Sequence, residues 1–394
     1  MKKVCFVLHA DLFTPWPVVR AVREIQVLRE NGYEIHAVCW IKNELDLPSQ
    51  EEREGVKIHR IFMVPPKEST FKRMMAYRKV LRNISDRIIK IKPDAIVCHD
   101  LEILKAGVRA KKKLDALLFF DVHENWPEMV AQNSKLEARV FSSMEKRLLR
   151  HVIFSYTYGD DLTKKYNKMG YLAKTLYNSK GQAAVPKINK MEINEIKWEL
   201  GIKKDDYVVG FSGSVSLKNG TQQIMDAQKN LPDNFKFLVV GGSGQARDMD
   251  EVKRYAEKKG VRKRIVFTGR VPPDVLLRYT ATFDLGTALF QPLSANEIAR
   301  VPNKLFDYMA MGVPMLVSDF PNMRKIVVKE AKCGVAVNPM DVKAITKAIK
   351  HFYEHPEDAK KKGESGRAMF EKVYSWDMQK KKLMKSHRFW RGEM

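Results

Sequence analysis

Short apolar runs of strand type alternate with helical stretches along nearly the whole chain, in two successive series. The first series lies at 4–8, 34–39, 56–61, 95–98, 117–120 and 152–155. The second lies at 207–211, 237–240, 265–267, 285–289, 315–317 and 335–337. Such runs suit strands buried on both faces, and the helices between them supply the crossovers that parallel strands need. The expected fold class is α/β: two Rossmann-like, doubly wound parallel-sheet domains facing a cleft, with ligands bound beyond the carboxyl ends of the strands. Asn178-Ser-Lys-Gly181 opens a polar, proline-containing stretch of linker character. This divides the chain into a first domain 1–180, a linker 181–205, a second domain 206–372 and a closing basic helix 373–394. At 394 residues, both halves can hold a full core.

Composition narrows the partners. A hydrophobic content of 44% with 30% charged residues describes a soluble globular protein. No apolar run approaches the about 18 residues needed to cross a bilayer. The apolar run after Met1-Lys-Lys mimics a secretory leader, but His9 and Asp11 end it without a cleavage site, so it reads as a first strand. Cys5, Cys39, Cys98 and Cys333 form no CxxC pair and fit free thiols in a reducing cytoplasm. A net charge of +24 favours an anionic partner. The basic residues are scattered and no recognised RNA or DNA module is present, so nucleic acid is not expected.

Several strand-to-loop junctions carry chemistry. In 296–319, a loop leads to a helix, a tight turn and a strand. Pro302 suits a first helical turn, Leu305, Phe306 and Met309 recur at helical spacing, and Gly312 with Pro314 ends the helix. The free N–H groups at such a start, near Asn303, suit a phosphate, and Lys304 adds a full charge. Asp307 lies one turn further in. Phe211-Ser-Gly-Ser-Val-Ser-Leu-Lys218 places Gly213, Ser214 and Lys218 after the first strand of the second series, where glycine lets backbone N–H groups approach a phosphate. Gly241-Gly242-Ser-Gly244 and Gly269-Arg270-Val271 follow the next two strands. In the first half, Phe120-Asp-Val-His-Glu-Asn-Trp-Pro-Glu128 clusters Asp121, His123, Glu124 and Glu128 after a strand, and His99 and Asp100 end the strand before it. Asp11, Trp16 and Arg20 form the rim of the first strand–helix loop, a candidate acceptor contact. The strongly basic stretch from Lys67 to Lys92 carries Phe71, Met74, Tyr77, Leu81, Ile84 and Ile88 at helical spacing. It reads either as a docking helix with a solvated basic side or as an interfacial helix on an anionic membrane surface. The segment from Trp376 on offers Trp376, Leu383, Phe389 and Trp390 as anchors.

The segment Pro302-Asn-Lys-Leu-Phe-Asp-Tyr-Met-Ala-Met-Gly-Val-Pro314 resembles the nucleotide-binding signature of family 4 retaining glycosyltransferases of the GT-B fold, the group 1 glycosyl transferases. Lys92-Pro-Asp and the run Asp121-Val-His-Glu-Asn-Trp-Pro-Glu128 are similar to further motifs of that family. The resemblance extends from Lys2 to about Trp376 and is strongest over 94–128 and 269–334. It implies transfer of a sugar from a UDP- or GDP-sugar to a saccharide or lipid-linked acceptor with retention, in cell-surface polysaccharide or glycan synthesis. The site would be cytoplasmic or peripheral on the inner face of the cytoplasmic membrane. By the same resemblance Asp307 contacts the ribose, and Lys218 clamps the diphosphate. Gly213, Ser214, Gly242, Arg270, Val271, Pro302, Asn303 and Lys304 line the donor, with the Val271 main chain reading the base. His123 lies beside the transferred sugar, and Asp11, Trp16, His99, Asp100 and Glu124 face the acceptor. No metal or other cofactor is expected, because cations and the helix start stabilise the diphosphate. The last helix is expected to cross back to the first domain. Ala299 replaces the family's first acid, with Glu297 nearby, and Ser214 stands where an Arg is usual. These departures keep open a catalytically weak or inactive sugar-nucleotide-binding or scaffold protein on the same fold.

Overall fold

The computed structural model describes residues 2–13, 18–42, 46–64, 66, 70–131, 134–244 and 246–386. Trp16, Lys67, Phe389 and Trp390 lie outside the described residues. The chain divides into two compact units. One runs to Asn178 and takes the chain back at Lys380; the other is Ser179–Gln379.

The first unit holds β1 (Lys3–Leu8), β2 (Glu34–Ile41), β3 (Gln50–Arg53), β4 (Val56–Phe62), β5 (Ala95–His99), β6 (Leu117–Asp121), β7 (Phe154–Thr157) and β8 (Ala173–Thr175). They lie in one sheet in the order β3-β4-β2-β1-β5-β6-β7-β8. Strand β1 pairs in parallel with β2 on one side and β5 on the other, so the strand order reverses there. Helix Thr70–Ile91 packs Val80, Leu81, Ile84, Ile88 and Ile91 into the core of this unit, and helix Leu101–Lys111 adds Ile103 and Leu104.

The expected all-parallel sheet is in fact mixed. Strand β3 runs antiparallel to β4 through a tight turn at Glu54 and Gly55, both at positive φ, as the favoured two-residue hairpin requires. Its sequence, Gln-Glu-Glu-Arg, is polar throughout because it forms the sheet edge, so no apolar alternation announces it. The edge strand β8, Ala173-Lys-Thr175, is too short to show an apolar run.

The second unit holds β9 (Tyr207–Ser212), β10 (Phe235–Val240), β11 (Ile265–Gly269), β12 (Leu285–Ala288), β13 (Met315–Ser318) and β14 (Gly334–Val337). Their order is β11-β10-β9-β12-β13-β14, all parallel, and it reverses between β9 and β12. The stretch 181–205 is more than a linker. It forms a helix, Lys190–Glu199, opened by a capping box between Asn189 and Glu192. The last described helix is Trp376–Lys385. Within the second unit, Trp376 donates its backbone N–H to the carbonyl of Lys180. Within the first, Lys380 pairs with Glu30 and Lys382 lies over the Tyr177 ring.

Candidate functional site

In the second unit the candidate donor residues lie on the loops after β9, β10 and β11 and on the helix before β13, running outward from the reversal between β9 and β12. The backbone after β9 turns at Gly213, with φ of 121°, and its N–H donates to the Val240 carbonyl at 2.9 Å. A Cβ on Gly241 would lie 2.1 Å from the Gly213 carbonyl oxygen, so the loops after β9 and β10 pack backbone to backbone and only glycine fits. Gly242 in turn stands against the Arg270 side chain, where a Cβ would meet Arg270 Cβ at 3.2 Å. Three loops, after β9, β10 and β11, thus form one continuous edge. Gly213, Ser214 and Arg270 are exposed on it, and Val271 is half-buried.

The helix Lys304–Ala310 is buried along its whole length. Pro302 and Asn303 shape its first turn: the Leu305 N–H donates to the Pro302 carbonyl and the Phe306 N–H to that of Asn303. The preceding residues are not a plain loop. Ser294 caps a short helix, Ala295–Ala299, through the Glu297 N–H. Glu297, the acid nearest the missing one at Ala299, pairs with Arg300 at 2.9 Å.

Lys304 is the unusual residue. It is buried, its ammonium lies 3.4 Å from the Phe211 ring centroid and 5.2 Å from that of Phe290, and it makes no ion pair among the described residues. Its tip is beside the Gly213 turn, 3.7 Å from where a Cβ would stand. Burial, and next the charge of Arg300, lowers its pKa well below the ordinary lysine value. Asp307, one turn on, pairs with Lys180 at 3.0 Å. Lys218 sits in the short turn Leu217–Asn219 with its side chain exposed.

The first unit has a second cluster at its own reversal point. Asp121 ends β6, is fully buried, and receives both its oxygens' bonds from Arg20, one from Nε at 2.8 Å and one from Nη2. Arg20 also donates to the carbonyls of Leu176 and Val122, at 3.0 and 2.8 Å. His99 Nδ1 and His123 Nε2 each stand 3.2 Å from Asp121 and 2.9 Å from each other. Burial works against the charge on Asp121, but Arg20 and then His123 outweigh it and hold the carboxyl well below the usual range. Burial, and next Arg20, lowers the pKa of His123. Glu24, behind His99 at 3.9 Å, is pushed up by burial and by Asp121, so burial favours its protonated form.

Asp100 adopts φ of 73° and ψ of 156°, a strained conformation for a residue with a side chain. The strain points its carboxylate at the next loop, where it accepts from the N–H groups of His123 at 2.8 Å and Glu124 at 3.2 Å. His9 approaches it to 3.6 Å. The loop bearing His123 is therefore fixed from below by Asp100 and from the side by Asp121. His123 reaches solvent, with 22% of its side chain exposed, as does His9 with 33%, and Glu124 is exposed beside His123.

The sequence expectations need correction here. Asp11 is not on a rim: it is buried and paired with Arg60 of β4, and it also accepts from the Phe13 N–H. Arg20 is likewise buried beneath the site. His99 and Asp100, expected to line the acceptor side, are buried supports for His123. Arg20 and Glu24 were legible in one respect: both are charged residues an i,i+4 step apart on the face of helix Val19–Glu30 that also buries Ala21, Ile25 and Leu28. The donor atoms of His99, Asp121 and His123 lie within 4.8 Å of one another, a spacing a metal ion could bridge. Both Asp121 oxygens already face a guanidinium, which a cation would have to displace.

Two doubly wound units of this topology, each with its residue cluster at the strand-order reversal, define a protein of the GT-B fold. The family model for glycosyl transferases group 1 matches residues 192–369, and that for the glycosyl transferase 4-like domain matches residues 17–156. The chain belongs to the GT-B glycosyltransferases, with a group 1 domain as its second half. Sucrose-phosphate synthase from Thermosynechococcus elongatus has the same fold, with a TM-score of 0.82 over 100% of both chains at 14% identity. Alr3699/HepE from Anabaena, in complex with UDP, has a TM-score of 0.77 over 98% of this chain and 99% of that one, also at 14% identity. D-inositol 3-phosphate glycosyltransferase from Xylanimonas cellulosilytica is 26% identical over 147 residues, 37% of this chain and 34% of that one. The chain spans between about a third and about half of the length of the curated relatives it matches.

Proposed function

We infer that this chain transfers a sugar from a nucleotide-diphosphate donor to a saccharide or lipid-linked acceptor with retention. The observation that carries this reading is Lys304: a buried lysine that makes no ion pair with a carboxylate among the described residues, opening beside a glycine turn at a strand-order reversal. Such a group calls for an anion. A diphosphate there would meet the Lys304 ammonium, the Ser214 backbone just past the Gly213 turn, and Lys218. Fixed cations aimed at a departing diphosphate lower the barrier to breaking the sugar–phosphate bond. Asp307 would hold the ribose hydroxyls, the Val271 main chain the base, and Gly242 and Arg270 the edge between. His123, fixed by Asp100 and Asp121, would stand beside the transferred sugar, with Glu124 toward the acceptor. UDP is the first nucleotide to test, since the similarly folded Alr3699/HepE holds it.

Thermal stability against a panel of UDP- and GDP-sugars and the free nucleotides tests this. A ligand at about 100 times its dissociation constant should add roughly 2.7 kcal/mol. The double variant Asp307→Ala, Lys218→Ala should lose that gain and the transferase activity together. Full activity in the double variant would remove these residues from the site. Stabilisation of the unaltered protein without turnover on any acceptor would favour a binding or scaffold role, which the losses at Ala299 and Ser214 motivate.

The reading extends to a cytoplasmic protein resting on an anionic membrane. No helix among the described residues is long and apolar enough to cross a bilayer. The first turns of helix Thr70–Ile91 instead leave Phe71, Met74 and Met75 exposed, although Phe71 and Met74 share the spacing of the buried positions. Lys72, Arg73, Arg78, Lys79 and Arg82 surround them, all exposed. Apolar tips among cations suit the headgroup boundary, where each Lys or Arg adds roughly 1 kcal/mol. The protein should sediment with phosphatidylglycerol vesicles and not with phosphatidylcholine ones, and Phe71→Ser with Met75→Ser should weaken that binding. Equal binding to both vesicle types would count against the idea.

A further inference from the structure

We propose that Lys180 is a positioning residue for nucleotide recognition, keeping Asp307 turned to the ribose and away from Lys304. The proposal rests on the reading of the donor site given above. Lys304 and Asp307 are three residues apart on one helix, a spacing at which lysine and aspartate readily pair. A pair between them would cancel the cation meant for the diphosphate and occupy the carboxylate meant for the ribose. In this structure they do not pair. The Lys180 ammonium takes Asp307 Oδ1 at 3.0 Å, and no hydrogen bond among the described residues reaches Oδ2. A carboxylate oxygen can accept more than one bond, so Oδ2 and the remaining face of Oδ1 are available to a cis-diol.

The position of Lys180 is set independently of any ligand. Its carbonyl accepts the Trp376 N–H at 2.9 Å, and the Ser179 hydroxyl donates to the Tyr374 carbonyl. The Tyr374 ring, fully buried, lies 5.3 Å from that of Phe306 on the same helix as Asp307. Cation and carboxylate are thus mounted on one packed scaffold, although 127 residues separate them in sequence.

The test compares the binding of UDP and GDP with that of their 2′,3′-dideoxy counterparts by calorimetry. In the unaltered protein the preferred ribonucleotide should bind about tenfold more tightly than its dideoxy form, the worth of one hydrogen bond to a charged group. Lys180→Met should bring that ratio close to one, and Lys180→Arg should restore most of it. A structural role alone would lower both affinities equally and leave the ratio unchanged. An unchanged ratio in Lys180→Met overturns the proposal. If the unaltered protein binds neither nucleotide, it is the donor-site reading that fails instead. Should Lys180→Met not fold, Lys180→Gln carries the same comparison.

Discussion

Arg20→Ala should cost the first unit about 3–5 kcal/mol, a larger loss than any surface substitution can give. The guanidinium satisfies both oxygens of a fully buried carboxylate and two backbone carbonyls at once. Removing it leaves the buried Asp121 carboxylate with only His99 and His123 beside it, and the carbonyls of Leu176 and Val122 without that donor. The sign of the pH dependence should also reverse. In the unaltered chain Arg20 helps hold the Asp121 pKa below its unfolded value, so this stability is present above about pH 4 and is lost as pH falls through the folded value. Without Arg20, burial raises the folded value, and the variant should gain relative stability as the solution is acidified. Urea unfolding at pH 7, pH 5 and pH 3 measures both effects. Arg20→Ala, Asp121→Ala should recover part of the loss, because no uncompensated charge remains. A loss under about 1 kcal/mol would mean that water replaces the guanidinium and that the pair is not a closed structural unit.

That ion pair also shows where sequence reading stops. The strand runs were legible because each is continuously apolar, and the sheets follow from their alternation with helices. The 302–314 motif was legible because Pro302, Lys304, Gly312 and Pro314 each do a local job whatever the rest of the chain does. Asp11 and Arg20 were misread for a common reason. Both flank the loop after β1, the usual place for ligand contacts, but each has its partner on a distant strand: Arg60 on β4 and Asp121 on β6. A charged residue in a loop and one tied beneath it look alike until the register of other strands is known. The role of His99 and Asp100 was blurred in the same way. Their place at the end of β5 was correct, but the φ of Asp100 that aims it at the His123 loop is a property of the folded backbone. Edge strand β3 was invisible because its function as an edge demands the polar residues that hide it.

Lys304→Met should move stability and activity in opposite directions. The lysine is buried over Phe211 and pairs with no carboxylate among the described residues, which costs free energy whether it stays charged or gives up its proton. A methionine of similar length would fill the same space without that cost, so the unliganded variant should melt at a higher temperature. The pH dependence identifies the cause. In the unfolded chain the lysine titrates near 10.5, while in the folded chain burial and Arg300 bring it well below. Between those two values the unfolded state binds more protons, so the stability of the unaltered protein rises with pH across that window. Lys304→Met should flatten the rise. Nucleotide binding reads the same group from the other side. A diphosphate bound at Lys304 would restore the charged form, so binding to the unaltered protein should take up protons from the buffer, and binding to the variant should take up fewer. The rate should fall by roughly 10²–10³, the loss found when a fixed donor to a developing charge is removed. Higher stability with lost turnover would mark Lys304 as strain held for function. Lower stability with unchanged turnover would make it a packing residue and return the diphosphate to Lys218 and the glycine turn alone.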